Sequence, residues 1–165
     1  MNHFRVYTHD DLLGVELGGS LKNVMAIASG IADSLGLGNN ARASLITRGL
    51  VEMTRLGIAM GAKERTFSGL SGIGDLVLTC SSPLSRNYTV GVKLGQGMKL
   101  KDILTQMRSV AEGVATAESA YELSKKYHIE MPIIEQVYKV LYEDKDAILA
   151  VGDLMERSLK SEFYG

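Results

Sequence analysis

The chain has 165 residues, 45% of them hydrophobic, and a formal net charge of −1 at pH 7. That length suits one domain with a real core, and the near-zero charge leaves no broad basic field for nucleic acid or an anionic membrane. No apolar run reaches transmembrane length and the N-terminus lacks a signal-peptide core; one cysteine, Cys80, suits a reducing, cytoplasmic compartment, and the histidines show no metal-ligand spacing.

Composition points to helices. There are 2 prolines, no tryptophan and 18 glycines, so the glycines are expected at turns, helix ends and points of close backbone approach. The segment Phe4 to Tyr7 (FRVY) is aromatic and β-branched but has no partner strand. It is expected to be the tail of a preceding unit, giving a division into residues 1–7 and 8–165. Thr8 with Asp11 forms a T-x-x-D capping box for a first helix that runs to about Leu35, where Gly36 and Gly38 stop it.

Inside that helix lies GVELGGSLKNVMAIA, from Gly14 to Ala28. Its one cation, Lys22, interrupts an apolar run. One turn back are Gly18 and Gly19, four residues ahead is Ala26, and Gly14 lies further back, so the face around the ammonium is nearly bare. Lys22 is then either a lysine reaching out to water or a functional amine beside which another group approaches the backbone. Glycine inside a helix costs about 1 kcal/mol relative to alanine, which brings the second reading level with the first.

Asn39 or Asn40 is expected to cap a second helix that Gly61 ends, with Leu45, Ile46, Leu50, Met53, Leu56, Ile58 and Met60 on its buried stripe. Glu52 and Arg55 have the spacing of a solvated ion pair. A short helical piece from Lys63 to Phe67 leads into a glycine-rich, polar region, FSGLSGIGDLVLTC then SSPLSRNYTVGVKLGQG, where functional residues tend to lie. Three further helices are predicted, at about Ala115 to Tyr127, from Pro132, and at about Ala147 to Arg157, with a frayed tail SLKSEFYG.

Within the glycine-rich region Asp75 follows G-I-G, and is either a helix cap or a partner for Lys22 or a substrate hydroxyl. Ser85, Arg86 and Asn87 follow Pro83 at an apparent helix start, where unpaired N–H groups attract anions and an arginine adds a fork suited to phosphate; such triplets commonly only cap. Glu112, in VAEGVATA, has the ordinary reading of a surface carboxylate, with Gly113 allowing a tight backbone beside it. Neither G-x-G-x-x-G nor G-x-x-x-x-G-K-[ST] occurs, so the chain lacks a dinucleotide-binding βαβ unit of its own.

Taken in order, VELGGSLKNVMAIASGIADSLGLGNNARASLITRGL, RLGIAMGA, TFSGLSGIGDLVLTCSSPLSRNYTVGVKLGQG, VAEGVATA, MPIIEQVY and LMERSLKSE resemble the C-terminal half of bacterial NAD(P)-dependent glycerol-3-phosphate dehydrogenase. The resemblance covers nearly the whole chain. It implies an all-α, multi-helix domain of the kind found at the C-terminus of 6-phosphogluconate dehydrogenase. It also implies hydride transfer between NAD(P)H and dihydroxyacetone phosphate, giving sn-glycerol 3-phosphate for phospholipid synthesis, and a homodimer.

By the same resemblance Lys22 is the catalytic lysine, and Lys22, Asp75, Ser85, Arg86 and Asn87 bind the phosphorylated substrate. Arg86, Val110 and Glu112 contact the cofactor. The cofactor domain itself lies outside this sequence, FRVYT being similar to its end, so the chain alone is expected to fold without oxidising glycerol 3-phosphate. Two rivals remain at this point: the substrate domain of another β-hydroxyacid-type dehydrogenase, in which a lysine with a nearby Asn stands on a long helix as Lys22 and Asn23 do, and a non-catalytic helical module for a phosphorylated metabolite.

Overall fold

A computed structural model describes residues 5–107 and 109–158. Among these residues the elements are nine α-helices and one π-helical turn, with no strand; the all-α expectation is met. Residues 5–7 form no strand, and Phe4 and most of the predicted tail lie outside the described residues. No helix among the described residues is long and apolar enough to cross a membrane.

Helix α1, Leu12–Ser34, is the central element. Every residue from Asn23 to Ala32 is buried, because this half of the helix is apolar or small on all sides and can be covered all round. Its neighbours are α2 (Gly38–Met60), α3 (Glu64–Phe67), α4 (Asp75–Ser81), α5 (Arg86–Gly95), α7 (Glu112–Lys126) and α8 (Pro132–Tyr142). Helix α6 (Leu100–Gln106) packs beside α5, and α9 (Ala147–Met155) beside α8. Met25, Ile27, Met53, Leu56, Phe67, Leu76 and Ile134 form the centre of the core.

Helix α5 lies along α1 with its backbone in contact. A side chain on Gly91 would overlap the Ile27 carbonyl oxygen, and one on Gly30 would overlap the Tyr88 carbonyl oxygen. One turn further on, Gly95 lies against Ile31 and Ser34. The pairs 27/91 and 31/95 advance together, so the two helices run in the same direction with a fixed register. A second tie reinforces it: the Tyr88 hydroxyl donates to Asp33 (2.6 Å), which also receives both Arg42 Nε (3.1 Å) and Nη2 (2.6 Å).

Several starts and stops differ from the sequence expectation. Asp11, not Thr8, caps α1: its carboxylate accepts the Gly14 N–H (2.9 Å), and it also accepts from the Lys63 N–H (2.8 Å) and the Thr66 hydroxyl (2.5 Å) on α3. The Thr66 hydroxyl, then the Gly14 and Lys63 N–H groups, hold its carboxyl down at about 2. Neither Asn39 nor Asn40 caps α2, which begins at Gly38 with no side-chain cap. Gly61 ends it in the left-handed conformation as expected, at φ 100. Ile58, placed on the buried stripe, is 48% exposed. Helix α7 starts three residues earlier than predicted, at Glu112, and α9 ends at Met155. Helix α6 was not anticipated.

The largest correction concerns Glu52, which is buried rather than part of a solvated face. Its two oxygens accept the N–H groups of Ile133 (2.8 Å) and Ile134 (3.2 Å) at the start of α8. Pro132 opens that helix without an N–H, and Met131 before it offers no side-chain cap. Glu52 therefore caps α8 from another helix. Burial pushes its carboxyl up to about 8, opposed by those two N–H groups and by the charges of Arg157 and Arg48.

Two outcomes follow from these contacts. The folded chain holds the Glu52 proton above the ordinary value of 4.5, at which an unfolded chain has released it, so this group favours folding below that pH and its contribution is lost as pH rises through about 8. Denaturant unfolding from pH 5 to 9 should show stability falling with pH, and Glu52→Gln should flatten that slope; parallel profiles would contradict the assignment. Separately, Gly91→Ala should destabilise by about 1–3 kcal/mol by forcing α5 from α1. Gly19→Ala, where an added side chain meets nothing within 4 Å, should stabilise by up to about 1 kcal/mol. Indistinguishable melting shifts for the two variants, or shifts of the reverse signs, would refute the packing argument.

Candidate active site

Lys22 lies one residue before the continuously buried half of α1, with 21% of its side chain exposed. Its Nζ donates to Asp75 Oδ2 in a close ion pair. The π-helical turn Leu70–Gly74 makes that pairing possible. Gly72 breaks it with non-helical angles (φ −104, ψ −105) and packs on the Phe67 backbone, while the Ser71 carbonyl oxygen rests on Gly18, where any side chain would overlap it. The turn is thus seated one helical turn before Lys22 and delivers Asp75, first residue of α4, to the ammonium.

The bare face is therefore only partly open. Gly14 makes room for Asp11 and Thr66, and Gly18 for Ser71, so two of the three glycines serve packing within the chain. Gly19 alone of the three faces free space, on the side of the helix that carries Lys22. Asp75 does not cap α4; its carboxylate is used on Lys22, and its second oxygen lies 3.4 Å from the Thr79 hydroxyl, which also donates to the Asp75 carbonyl at 2.6 Å. Thr79 was missed from the sequence, although its position four residues after Asp75 on one helix face was a usable signal.

Ser85 does cap α5, accepting the Tyr88 N–H at 3.3 Å. Arg86 opens the helix with an exposed side chain, and Asn87 behind it is buried. The Asn87 side-chain oxygen, Oδ1, accepts the Gly113 N–H at 2.9 Å. A side chain on Gly113 would come within 2.7 Å of both that oxygen and the Asn23 carbonyl oxygen. Asn23 and Asn87 thus flank Gly113, which extends the α1–α5 register by one more turn: 23/87, 27/91, 31/95.

The start of α5 and the start of α7 consequently meet beside the residue that follows Lys22. Both ends carry the positive pole of a helix. Val110 is 73% exposed and Glu112 is exposed as the first residue of α7, so both lie at the accessible edge of this junction. The structure joins Lys22 directly to Asp75, and Asn87 directly to the backbone next to Glu112. Cys80 takes no part as a nucleophile: it is buried, and desolvation pushes its thiol up to about 12.

Such a site combines an ammonium held by a carboxylate with two helix starts and an exposed guanidinium. It can stabilise charge on a substrate oxygen and bind a phosphate nearby.

Known proteins match the chain along most of its length. The sequence model described as NAD-dependent glycerol-3-phosphate dehydrogenase C-terminus matches residues 11–152. A glycerol-3-phosphate dehydrogenase [NAD(P)+] of Geobacter sulfurreducens is 67% identical over 159 residues, covering 96% of this chain and 48% of the relative. One from Syntrophotalea carbinolica is 65% identical over 160 residues, covering 97% and 48%. The crystal structure of glycerol-3-phosphate dehydrogenase from Coxiella burnetii superposes with a TM-score of 0.91 at 49% identity, over 95% of this chain and 48% of that one. The chain spans about half the length of the curated relatives it matches. It belongs to the NAD-dependent glycerol-3-phosphate dehydrogenase family, as that family's C-terminal domain.

Proposed function

We propose that this chain is the substrate-binding and catalytic half of an NAD(P)-dependent glycerol-3-phosphate dehydrogenase. The whole enzyme interconverts dihydroxyacetone phosphate and sn-glycerol 3-phosphate for glycerophospholipid synthesis in the cytoplasm. Residues 8–165 form the α-helical substrate domain, residues 1–7 are the end of the dinucleotide-binding domain, and the enzyme pairs as a homodimer. The observation that carries this reading is the Lys22–Asp75 pair beside the open flank at Gly19.

Lys22 Nζ is the proton donor to the substrate oxygen. As the ketone is reduced, negative charge grows on that oxygen, and an ammonium within hydrogen-bond reach stabilises the charge and then supplies the proton. In the oxidative direction the neutral amine takes the hydroxyl proton. Asp75 keeps the amine from swinging into water, and Thr79 steadies Asp75. The substrate phosphate lies against the start of α5, where the first N–H groups are unpaired within the helix, with Ser85 shaping the turn and Arg86 and Asn87 supplying donors.

Exposed Val110 offers an apolar edge, and Glu112 and Arg86 offer polar groups on the same accessible junction. An apolar edge, a carboxylate acceptor and a guanidinium donor fit one edge of a dinucleotide. A bound dinucleotide would supply the hydride.

In the full-length enzyme Lys22→Ala is expected to lower kcat by about 10³-fold or more, with substrate affinity changed only several-fold; steady-state rates and substrate titration measure the two separately. Turnover near the wild-type rate would remove Lys22 from the mechanism. The present chain by itself is expected to give no cofactor-dependent oxidation of glycerol 3-phosphate, and a measurable rate from the purified chain would overturn the division of labour between the two halves.

A further inference from the structure

Helix α7 has no cap of its own. Its N-cap position is Ala111, which has no side-chain acceptor, and a capping side chain normally accepts from the second or third N–H of the helix. Gly113 is the second residue of α7, and the acceptor for its N–H is Asn87 on α5. Since the backbone nitrogen donates, the Asn87 atom that faces it is the carbonyl oxygen, which fixes the orientation of the amide. The Asn87 NH2 group must then point the other way. No buried side-chain nitrogen or oxygen among the described residues lacks a partner, so with its oxygen committed to Gly113 the NH2 opens towards accessible space at the start of α5.

Gly113 is wedged between the Asn23 and Asn87 oxygens. Ala111, two residues before it, is 1% exposed, while Val110 is 73% exposed. The exposed edge next to Glu112 is therefore tied by a hydrogen bond to the helix that carries Ser85 and Arg86.

We propose that Asn87 is a coupling residue: its oxygen ties the first turn of α7 to the first turn of α5, its NH2 is left for the phosphorylated substrate, and substrate and dinucleotide thereby strengthen each other's binding. The proposal rests on the functional reading above, in which the α7 edge meets the dinucleotide and the α5 start meets the phosphate. Coupling of this kind is reciprocal, and a factor of 5 or more is ordinary for two linked sites.

The test is NADH titration by fluorescence in the full-length protein, with and without saturating glycerol 3-phosphate, a pair that cannot turn over. In the wild type, glycerol 3-phosphate should tighten NADH binding by about 5-fold or more. Asn87→Ala removes both halves of the amide: NADH alone should bind several-fold more weakly and glycerol 3-phosphate should no longer matter. Asn87→Asp keeps an acceptor for the Gly113 N–H but loses the NH2: NADH alone should bind within about 2-fold of wild type, again without a response to glycerol 3-phosphate. This split between the two variants is one that a merely structural role would not produce.

Equal NADH affinity for Asn87→Ala and wild type, or equal losses in the two variants, would overturn the proposal, and if Asn87→Ala fails to fold, a large NADH loss in Asn87→Asp alone does so. A wild type that binds both ligands with no mutual effect refutes the coupling and leaves the functional reading intact. A wild type that binds no NADH refutes the functional reading itself.

Discussion

The backbone contact between α1 and α5 organises this molecule. Gly30 and Gly91 allow two helices to touch without intervening side chains, and that contact fixes one register along both. Three turns of it, 23/87, 27/91 and 31/95, place the start of α5 next to the residue after Lys22. A helix start carries partial positive charge, so the same contact that builds the core also brings an anion-attracting end to a buried-side lysine. Packing and chemistry are here set by one geometric constraint.

A second theme is that a side chain pairing a helix start also joins that helix to another. Asp11 caps α1 but spends its other oxygen on α3; Glu52 on α2 caps α8; Asn87 on α5 caps α7. Each of these bonds does two things, pairing an otherwise unpaired N–H and setting the angle between two helices. The cost of losing such a bond exceeds that of an ordinary surface cap, because the orphaned group is buried. Glu52 is the extreme case, a carboxylate placed deep enough that burial outweighs two hydrogen bonds and nearby arginine charges in setting its protonation.

The helices were legible where a stripe of apolar residues recurred. Helix α8 is the clearest: Ile133, Ile134, Val137, Val140 and Leu141 recur at helical spacing, and all are buried. Helix α6 was invisible because only Ile103 of its seven residues is buried, too few to make a period. Glu52 was misread because an i,i+3 spacing with Arg55 looks the same on a solvated and on a covered helix; nothing local says that Pro132, 80 positions on, will lie above it. Lys22 stood out because a cation in an apolar run demands a reason. The glycines around it were only half understood, since sequence alone cannot tell a gap left for a ligand from one filled by Ser71. The roles of Asp75, Arg86 and Glu112 were candidates on local grounds and acquired specific functions only through resemblance to a family.

The most direct test of the account is a crystal structure of the full-length protein with glycerol 3-phosphate and the reduced dinucleotide, a pair that cannot turn over. The account predicts the substrate's secondary oxygen within about 3 Å of Lys22 Nζ, its phosphate against the first turn of α5 and the Arg86 guanidinium, and the nicotinamide ring near Val110. A substrate bound elsewhere, with no ligand atom beside Lys22 Nζ or at Gly19, would contradict it.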